Sequence, residues 1–195
     1  MNLVGKNAPT FKATAVQKDR FIEDFSLANC AGKYVIFFFY PLDFTFVCPT
    51  ELHAFQARRA DFEEREAVVV GCSVDSKFAH YTWLNTPKNQ GGIEGVGYPI
   101  VSDVKKEIAE MYGVLKADEG IAYRGLFLID KEGVVRHQPI NDLPLGSSVD
   151  EALRTPDPHI FHETHGEVCP ANWQGGEKAM APTKEGVSAY LSDVK

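Results

Sequence analysis

The segment Tyr34–Tyr40 constrains the fold of this chain more than any other part of the sequence. It reads YVIFFFY, an unbroken run of apolar and aromatic residues. A strand with one solvent-facing side alternates apolar and polar residues, so an unbroken run predicts a strand that is buried on both faces. Such a strand needs neighbours on both sides, and we expect it near the centre of a sheet.

Strand and helix patterns alternate after this segment. The predicted elements are a helix beginning near Pro49, a strand at Ala67–Cys72, a helix at Ser76–Trp83, a helical face at Val104–Tyr112 and a hairpin of Gly125–Ile129 with Val134–Val135. This order predicts an α/β fold with a mixed central β-sheet flanked by helices, as in thioredoxin-like proteins. Beyond Gly166 only Val187–Leu191 looks helical, so we expect a mobile C-terminal arm.

Composition excludes several classes of protein. The chain has 195 residues, 44% of them apolar, which suits one substantial core. Its 27 acidic residues outnumber its 20 Lys and Arg residues, and a net charge of −7 argues against nucleic acid as a partner. No stretch reaches the length of a membrane span and the first residues lack a secretory-signal pattern. We therefore expect no membrane partner and a cytoplasmic location.

The four cysteines Cys30, Cys48, Cys72 and Cys169 are widely spaced and include no CxxC pair. This spacing fits neither a disulfide-rich scaffold nor a zinc site, and the histidines around residue 162 lack HExxH spacing, so no metal is expected. Cys72 ends an apolar strand and is predicted to be a core thiol, while Cys30 is predicted to lie in a loop. Only Cys48 and Cys169 share the tripeptide Val-Cys-Pro.

Cys48 follows a buried strand and precedes a helix. With Pro49 expected as the first helical residue, the positive end of the helix dipole would point at the Cys48 sulfur and favour its thiolate. Thr45 would present its hydroxyl to a group bound at the sulfur, and Pro41 would shield the loop from water. Attack by the thiolate leaves negative charge on the departing atom, so a fixed cation is needed, and Arg124 is the candidate.

The pattern Pro41-x-x-x-Thr45-x-x-Cys48 matches the active-site signature of the peroxiredoxins. The neighbouring Phe44, Phe46 and Val47 match the typical two-cysteine subgroup, and the likeness extends over nearly the whole chain. Further matching segments are Gly5–Pro9, Tyr123–Gly125, Asn141–Gly146 and His165–Pro170. The chain thus resembles a typical two-cysteine peroxiredoxin and is similar to the bacterial peroxidase component of alkyl hydroperoxide reductase.

This resemblance implies a thiol-dependent peroxidase that reduces hydrogen peroxide and organic hydroperoxides to water and alcohols without a cofactor. Cys48 would form a sulfenic acid, and Cys169 of a partner subunit would resolve it as an intersubunit disulfide. Residues 1–165 would form the peroxidase domain and residues 166–195 the arm that carries the resolving cysteine. The residues expected to complete the pocket are Pro41, Thr45 and Arg124, with Glu51 and Arg154 orienting it.

The resemblance also implies partners. Family members are homodimers that commonly assemble into decamers, and thioredoxin or a flavoprotein disulfide reductase reduces their disulfide. The residues leave alternatives open. One is a thiol–disulfide oxidoreductase on the same fold, and another is an oligomeric holdase or a redox-signalling adaptor.

Two departures from the family pattern carry predictions. Relatives that excess peroxide inactivates have Gly-Gly-Leu/Ile-Gly and a C-terminal Tyr-Phe pair, where this chain has Gly91-Gly-Ile-Glu94 and Tyr190-Leu191. We expect intermediate sensitivity to overoxidation. Pro156 and Pro158 are expected to shorten or kink a helix that relatives continue, which affects where Arg154 lies.

Overall fold

A computed structural model describes residues 1–193, so the last two residues of the predicted arm lie outside the described residues. The chain divides into two compact units, and the first is Met1–Val149. The second begins at Asp150, and the sequence-based domain boundary after residue 165 stays a prediction. Among the described residues, no helix is both long and apolar enough to cross a bilayer.

The first unit is built on β-strands. These are β1 (Ala13–Gln17), β2 (Arg20–Phe25), β3 (Tyr34–Phe39), β4 (Ala67–Ser73), β5 (Ile100–Ser102), β6 (Leu115–Lys116), β7 (Ile121–Ala122), β8 (Arg124–Ile129), β9 (Val135–His137) and β10 (Ile140–Asn141). The main sheet has the order β10-β8-β3-β4-β5-β1-β2, with β9 also paired to β8. The β3–β4 and β4–β5 pairs are parallel and the others are antiparallel, so the predicted mixed sheet with a central Tyr34 strand is confirmed.

Every residue of β3 is buried, as its unbroken apolar run predicts. On one face Phe37 packs against Phe39 and Tyr112, with ring centroids 4.7 and 5.1 Å apart. On the other face Phe38 stacks on Phe55 of the following helix at 4.4 Å. Each fully buried phenylalanine contributes about 1.5–3 kcal/mol. Apolar layers on both faces therefore hold the strand whose end leads to Cys48.

Four helices flank the sheet in this unit. They are α1 (Cys48–Ala57), α2 (Arg59–Glu64), α3 (Lys77–Leu84) and α4 (Glu107–Met111). Ser76 caps α3 by accepting the Ala79 N–H at 3.2 Å, which confirms the predicted helix start. The helical face predicted to begin at Val104 is shorter, because Lys106 has a left-handed φ of 65° and α4 begins only after it.

The sequence did not reveal the hairpin of β1 and β2 at the sheet edge. β2 exposes most of its residues, so it lacks the apolar alternation that marks a half-buried strand. The predicted hairpin around Asp130–Gly133 is confirmed as β8 and β9. Cys30 was predicted to lie in a loop and instead ends a 3₁₀ helix, Leu27–Cys30, which Ser26 and Asn29 cap reciprocally.

The second unit contains α5 (Val149–Arg154) apart from its first residue, together with α6 (Pro156–His165) and α7 (Lys184–Asp193). The helical pattern breaks at Thr155, directly before Pro156, as the prolines predicted. Beyond Gly166 a bridge between Val168 and Met180 precedes α7, and this helix includes the predicted Val187–Leu191 segment.

Candidate active site

Cys48 is the first residue of α1 and is fully buried, with 0% of its surface exposed. Pro49 was expected to be the first helical residue and is the second, because Val47 already has helical φ and ψ and the turn begins one residue earlier. No side chain caps this end of α1. The positive end of the helix dipole therefore lies at the cysteine and favours negative charge on its sulfur.

Arg124 brings a fixed positive charge to this sulfur. Its Nη1 donates to Cys48 Sγ at 3.3 Å, and its Nε donates to the Leu143 carbonyl at 2.7 Å. The antiparallel register explains the approach: Phe38 of β3 pairs with Leu126 of β8, so Arg124 lies beside the end of β3. Arg124 is 5% exposed, so the charge that it brings to the sulfur is largely shielded from water.

Glu51 holds the guanidinium in place. Its Oε2 accepts from Arg124 Nη1 at 2.5 Å, and its Oε1 accepts the Ser147 N–H at 2.7 Å. Glu51 is 3% exposed, so both members of this ion pair are desolvated. Further hydrogen bonds, from Ser147 to Glu51 and from Arg124 to the Leu143 carbonyl, help to offset the cost of desolvating the pair. Because its partners surround it, the guanidinium has little freedom to move.

Thr45 and Pro41 belong to the loop that joins β3 to α1. Pro41 is buried, as expected for a residue that shields the loop from water. Thr45 was predicted to present its hydroxyl to a group bound at the sulfur, and in the structure Oγ1 donates its proton to the Leu42 carbonyl at 2.9 Å. The Thr45 oxygen is thus left as an acceptor, suited to a bound group that carries its own O–H.

A second polar cluster borders this loop, and the sequence did not indicate it. Tyr40 Oη donates to Asp43 Oδ1 at 2.8 Å, while Asp43 Oδ2 lies 2.8 Å from Nδ1 of the buried His80. Burial raises the pKa of the Asp43 carboxyl, while its hydrogen bond from His80 opposes that shift. Phe44 follows with a left-handed φ of 54°, a conformation that costs an aromatic residue about 1–2 kcal/mol. The strained backbone of Phe44 is the feature that draws attention to this cluster, and it can be seen only in the structure.

The loop around Gly91 packs on α1 and α3. Trp83 Nε1 donates to the Gly91 carbonyl at 2.8 Å, and His53 Nε2 of α1 lies 3.1 Å from the Gly92 carbonyl. Ile93 is fully buried. The loop that departs from the family pattern at Glu94 therefore braces the helix that begins at Cys48.

The other first-unit cysteines lack such a setting. Cys72 is buried in the core, and burial raises the pKa of its thiol well above the ordinary value. Burial also raises the pKa of the Cys30 thiol. Both thiols thus stay protonated and less nucleophilic near neutral pH.

In the second unit, Cys169 follows α6 and is partly exposed. Its Sγ lies 3.7 Å from the Pro158 carbonyl, and burial, with a smaller effect of Glu167, raises the pKa of this thiol. Arg154 ends α5 and pairs with Glu151 at 2.7 and 2.8 Å. Its predicted role in orienting the peroxide pocket stays a prediction.

A thioredoxin-like sheet that presents a buried cysteine at a helix start beside a fixed cation defines a class of cysteine-dependent redox enzymes. Residues 4–138 match the AhpC/TSA family, and residues 161–193 match the C-terminal domain of 1-Cys peroxiredoxin. Peroxiredoxin-1 of Gallus gallus is 53% identical over 98% of this chain and 96% of its own. This chain belongs to the AhpC/TSA family as a typical two-cysteine peroxiredoxin, a thiol-dependent peroxidase.

Solved structures agree with this assignment. The reduced 2-Cys peroxiredoxin of Plasmodium vivax is 47% identical, with a TM-score of 0.94 over 98% of this chain and 100% of its own. Thioredoxin peroxidase I of Plasmodium yoelii is 50% identical, with a TM-score of 0.78 over 90% and 100%. AhpC of Enterococcus faecalis is 35% identical, with a TM-score of 0.80 over 87% and 100%. The likeness to a bacterial AhpC is thus accompanied by higher identity to eukaryotic peroxiredoxins.

Proposed function

We propose that Cys48 attacks the peroxide and that Cys169 of a partner subunit resolves the product. The observation that carries the proposal is the 3.3 Å contact between Arg124 Nη1 and Cys48 Sγ. Among the hydrogen bonds found in residues 1–193, the only one that Cys169 makes through its sulfur is to a carbonyl, which does not favour a thiolate. The two thiols therefore suit different steps.

In the first step the Cys48 thiolate attacks the terminal oxygen of a hydroperoxide. The S–O bond forms as the O–O bond breaks, giving a sulfenic acid and an alkoxide or hydroxide that takes up a proton to leave as alcohol or water. Arg124 stabilises the developing negative charge, and Glu51 keeps the guanidinium in position. Thr45 accepts a hydrogen bond from the peroxide O–H, and Pro41 keeps water away.

In the second step the Cys169 thiol attacks the sulfenic sulfur and displaces water, so the oxidised product is a Cys48–Cys169 disulfide. Because Cys48 is fully buried, the loop and the start of α1 must open first. Arg154 is proposed to help orient the pocket before this opening. The cycle as written uses the two thiols and needs no metal or flavin from this chain.

A dithiol must then reduce the disulfide. Thioredoxin is the proposed reductant, supported by the 50% identity to a protein named thioredoxin peroxidase, and a flavoprotein disulfide reductase is the alternative that the likeness to AhpC supports. Both reductants suit the cytoplasmic location that we propose. Peroxide consumption coupled to each reductant in turn distinguishes them.

Homodimers that assemble into decamers are proposed as the working form. An exposed aromatic patch supports assembly: Phe21 lies 6.0 Å from Phe78 and 5.5 Å from Tyr81 between ring centroids. Phe78 is 65% exposed, and Phe46 within the active-site loop is 93% exposed. Apolar surface of this kind usually marks a protein interface.

Non-reducing gels test the division of roles between the cysteines. After peroxide, wild-type protein is expected to run as a covalent dimer, and Cys48→Ser and Cys169→Ser are each expected to lack that band. Cys30→Ser is the matched control and should keep it, because Cys30 takes no part in the cycle. A dimer band that persists in Cys169→Ser would contradict the proposed resolving cysteine.

Overoxidation is expected to be intermediate. The Gly91 loop braces α1 and slows opening, but Glu94 replaces the last glycine of the family motif, so the sulfenic acid is only partly protected from resolution. Graded peroxide with a recycling reductant should give Cys48 sulfinic acid, measured by mass spectrometry, and Glu94→Gly should give more. Absence of sulfinic acid even at millimolar peroxide would contradict this prediction.

A further inference from the structure

Asp75 connects the active-site loop to the sheet. It lies between β4 and α3, and its Oδ2 accepts the backbone N–H of Asp43 at 2.9 Å. The same oxygen accepts the Ser73 hydroxyl at 2.8 Å, and the Asp75 N–H donates back to Ser73 Oγ at 3.2 Å. The Asp75 carbonyl accepts the Ser102 hydroxyl at 2.7 Å. Ser73 of β4 thus holds the Asp75 carboxylate, and Ser102 of β5 holds the Asp75 backbone, so the residue is anchored to two neighbouring strands.

The residue that Asp75 holds is followed by a strained one. Phe44 has a left-handed φ of 54°, which side chains other than glycine adopt rarely. Such a conformation persists only where the surroundings enforce it. Its ring lies 5.7 Å from that of Trp83, and the Asp43 N–H bond fixes the backbone immediately before it. Pro41 precedes this fixed point and Thr45 follows it.

We propose that Asp75 is a positioning residue for peroxide reduction, because its bond to the Asp43 backbone fixes the loop that carries Pro41 and Thr45. This inference rests on the proposed role of Cys48. The hydrogen bonds of Asp75 found among residues 1–193 are to Asp43, Ser73 and Ser102, so its influence reaches the sulfur through the loop. Fixed placement of groups around reacting atoms supplies much of a rate enhancement, and small displacements are costly.

The contact is well suited to a test because it is made to the backbone. Removing the side chain of Asp43 or His80 would leave a buried polar partner unpaired and disturb the core around them. Removing the Asp75 carboxylate instead releases two donors, the Asp43 backbone N–H and the hydroxyl of the buried Ser73, and Asp75→Asn keeps an acceptor for both. We expect the loop to relax at Phe44 in Asp75→Ala while Arg124, which Glu51 holds, keeps its contact with the sulfur.

The test compares two reactions of the same sulfur in the Cys169→Ser background. Reaction with hydrogen peroxide needs the placed loop, whereas alkylation by iodoacetamide needs only an accessible thiolate. Asp75→Ala is expected to lower the second-order peroxide rate constant about tenfold, a change of about 1.4 kcal/mol. Alkylation should be unchanged or faster. Asp75→Asn retains an acceptor oxygen and should restore most of the peroxide rate.

Asp103→Ala is the matched control. Asp103 also accepts backbone N–H groups, from Ile108 at 3.1 Å and Ala109 at 2.7 Å, but it caps α4. The Asp103→Ala variant should have a lower unfolding temperature, and its ratio of peroxide rate to alkylation rate should stay at the value of the parent protein. If Asp75→Ala lost both rates equally, or kept the wild-type peroxide rate, the positioning role of Asp75 would be overturned while the proposed role of Cys48 would stand. A parent protein whose Cys48 fails to react with peroxide would overturn the proposed function as well.

Discussion

Replacing Cys48 with serine is expected to lower peroxide turnover at least about a thousandfold, as removal of a nucleophile does in other enzymes. The serine hydroxyl is not ionised near neutral pH and attacks peroxide oxygen poorly, although Arg124 and the helix dipole remain in place. Serine differs from cysteine by one atom, so the fold should be retained. Peroxide consumption coupled to thioredoxin and its reductase measures the effect.

Cys30→Ser is the control for this result and should turn over at the wild-type rate. Wild-type consumption by Cys48→Ser would contradict the assignment of the nucleophile and direct attention to Cys169. Suppression of aggregation of a test protein should be largely intact in Cys48→Ser. This separates the peroxidase from a holdase role that depends on assembly rather than on the thiol.

Replacing Arg124 with methionine is expected to lower the rate constant for peroxide by about 100- to 1,000-fold, the usual effect of removing one donor that stabilises transition-state charge. It also leaves Glu51 as a buried carboxylate without its cation, which destabilises a protein by about 3–5 kcal/mol. Slow turnover by this variant would then have two explanations, loss of the cation and loss of the fold, so the single substitution is not sufficient.

The double variant Arg124→Met/Glu51→Gln separates the two effects. Glutamine is neutral and its carbonyl can still accept the Ser147 N–H that Glu51 accepts at 2.7 Å. We expect the unfolding temperature to recover most of its wild-type value while the peroxide rate stays low. Recovery of the rate together with the stability would show that Arg124 acts on the fold and not on the reaction.

The sequence was sufficient for elements whose burial is complete. Tyr34–Phe39 and Ala67–Ser73 are long apolar runs, and the structure buries nearly all of both. It was insufficient where local and long-range effects compete. β2 is mostly exposed and has no apolar pattern, and the helix predicted to start at Val104 begins only after Lys106, whose left-handed backbone periodicity does not reveal.

By itself, the sequence determined the chemistry of the site and the strand-to-helix position of Cys48, because the apolar run, the proline and the cysteine are contiguous. The signature residues Pro41 and Thr45 also lie close to Cys48 in the sequence, so the same segment contains them. The sequence offered Arg124 as the candidate cation, but only the tertiary structure shows how it reaches the sulfur. Arg124 is 76 residues from Cys48 and lies beside it because β8 pairs with β3 in a register fixed by packing on both faces. The Asp75 contact with Asp43 likewise joins segments 32 residues apart, and no local pattern encodes it, because hydrogen bonds of this kind exist only once the parallel strands are aligned.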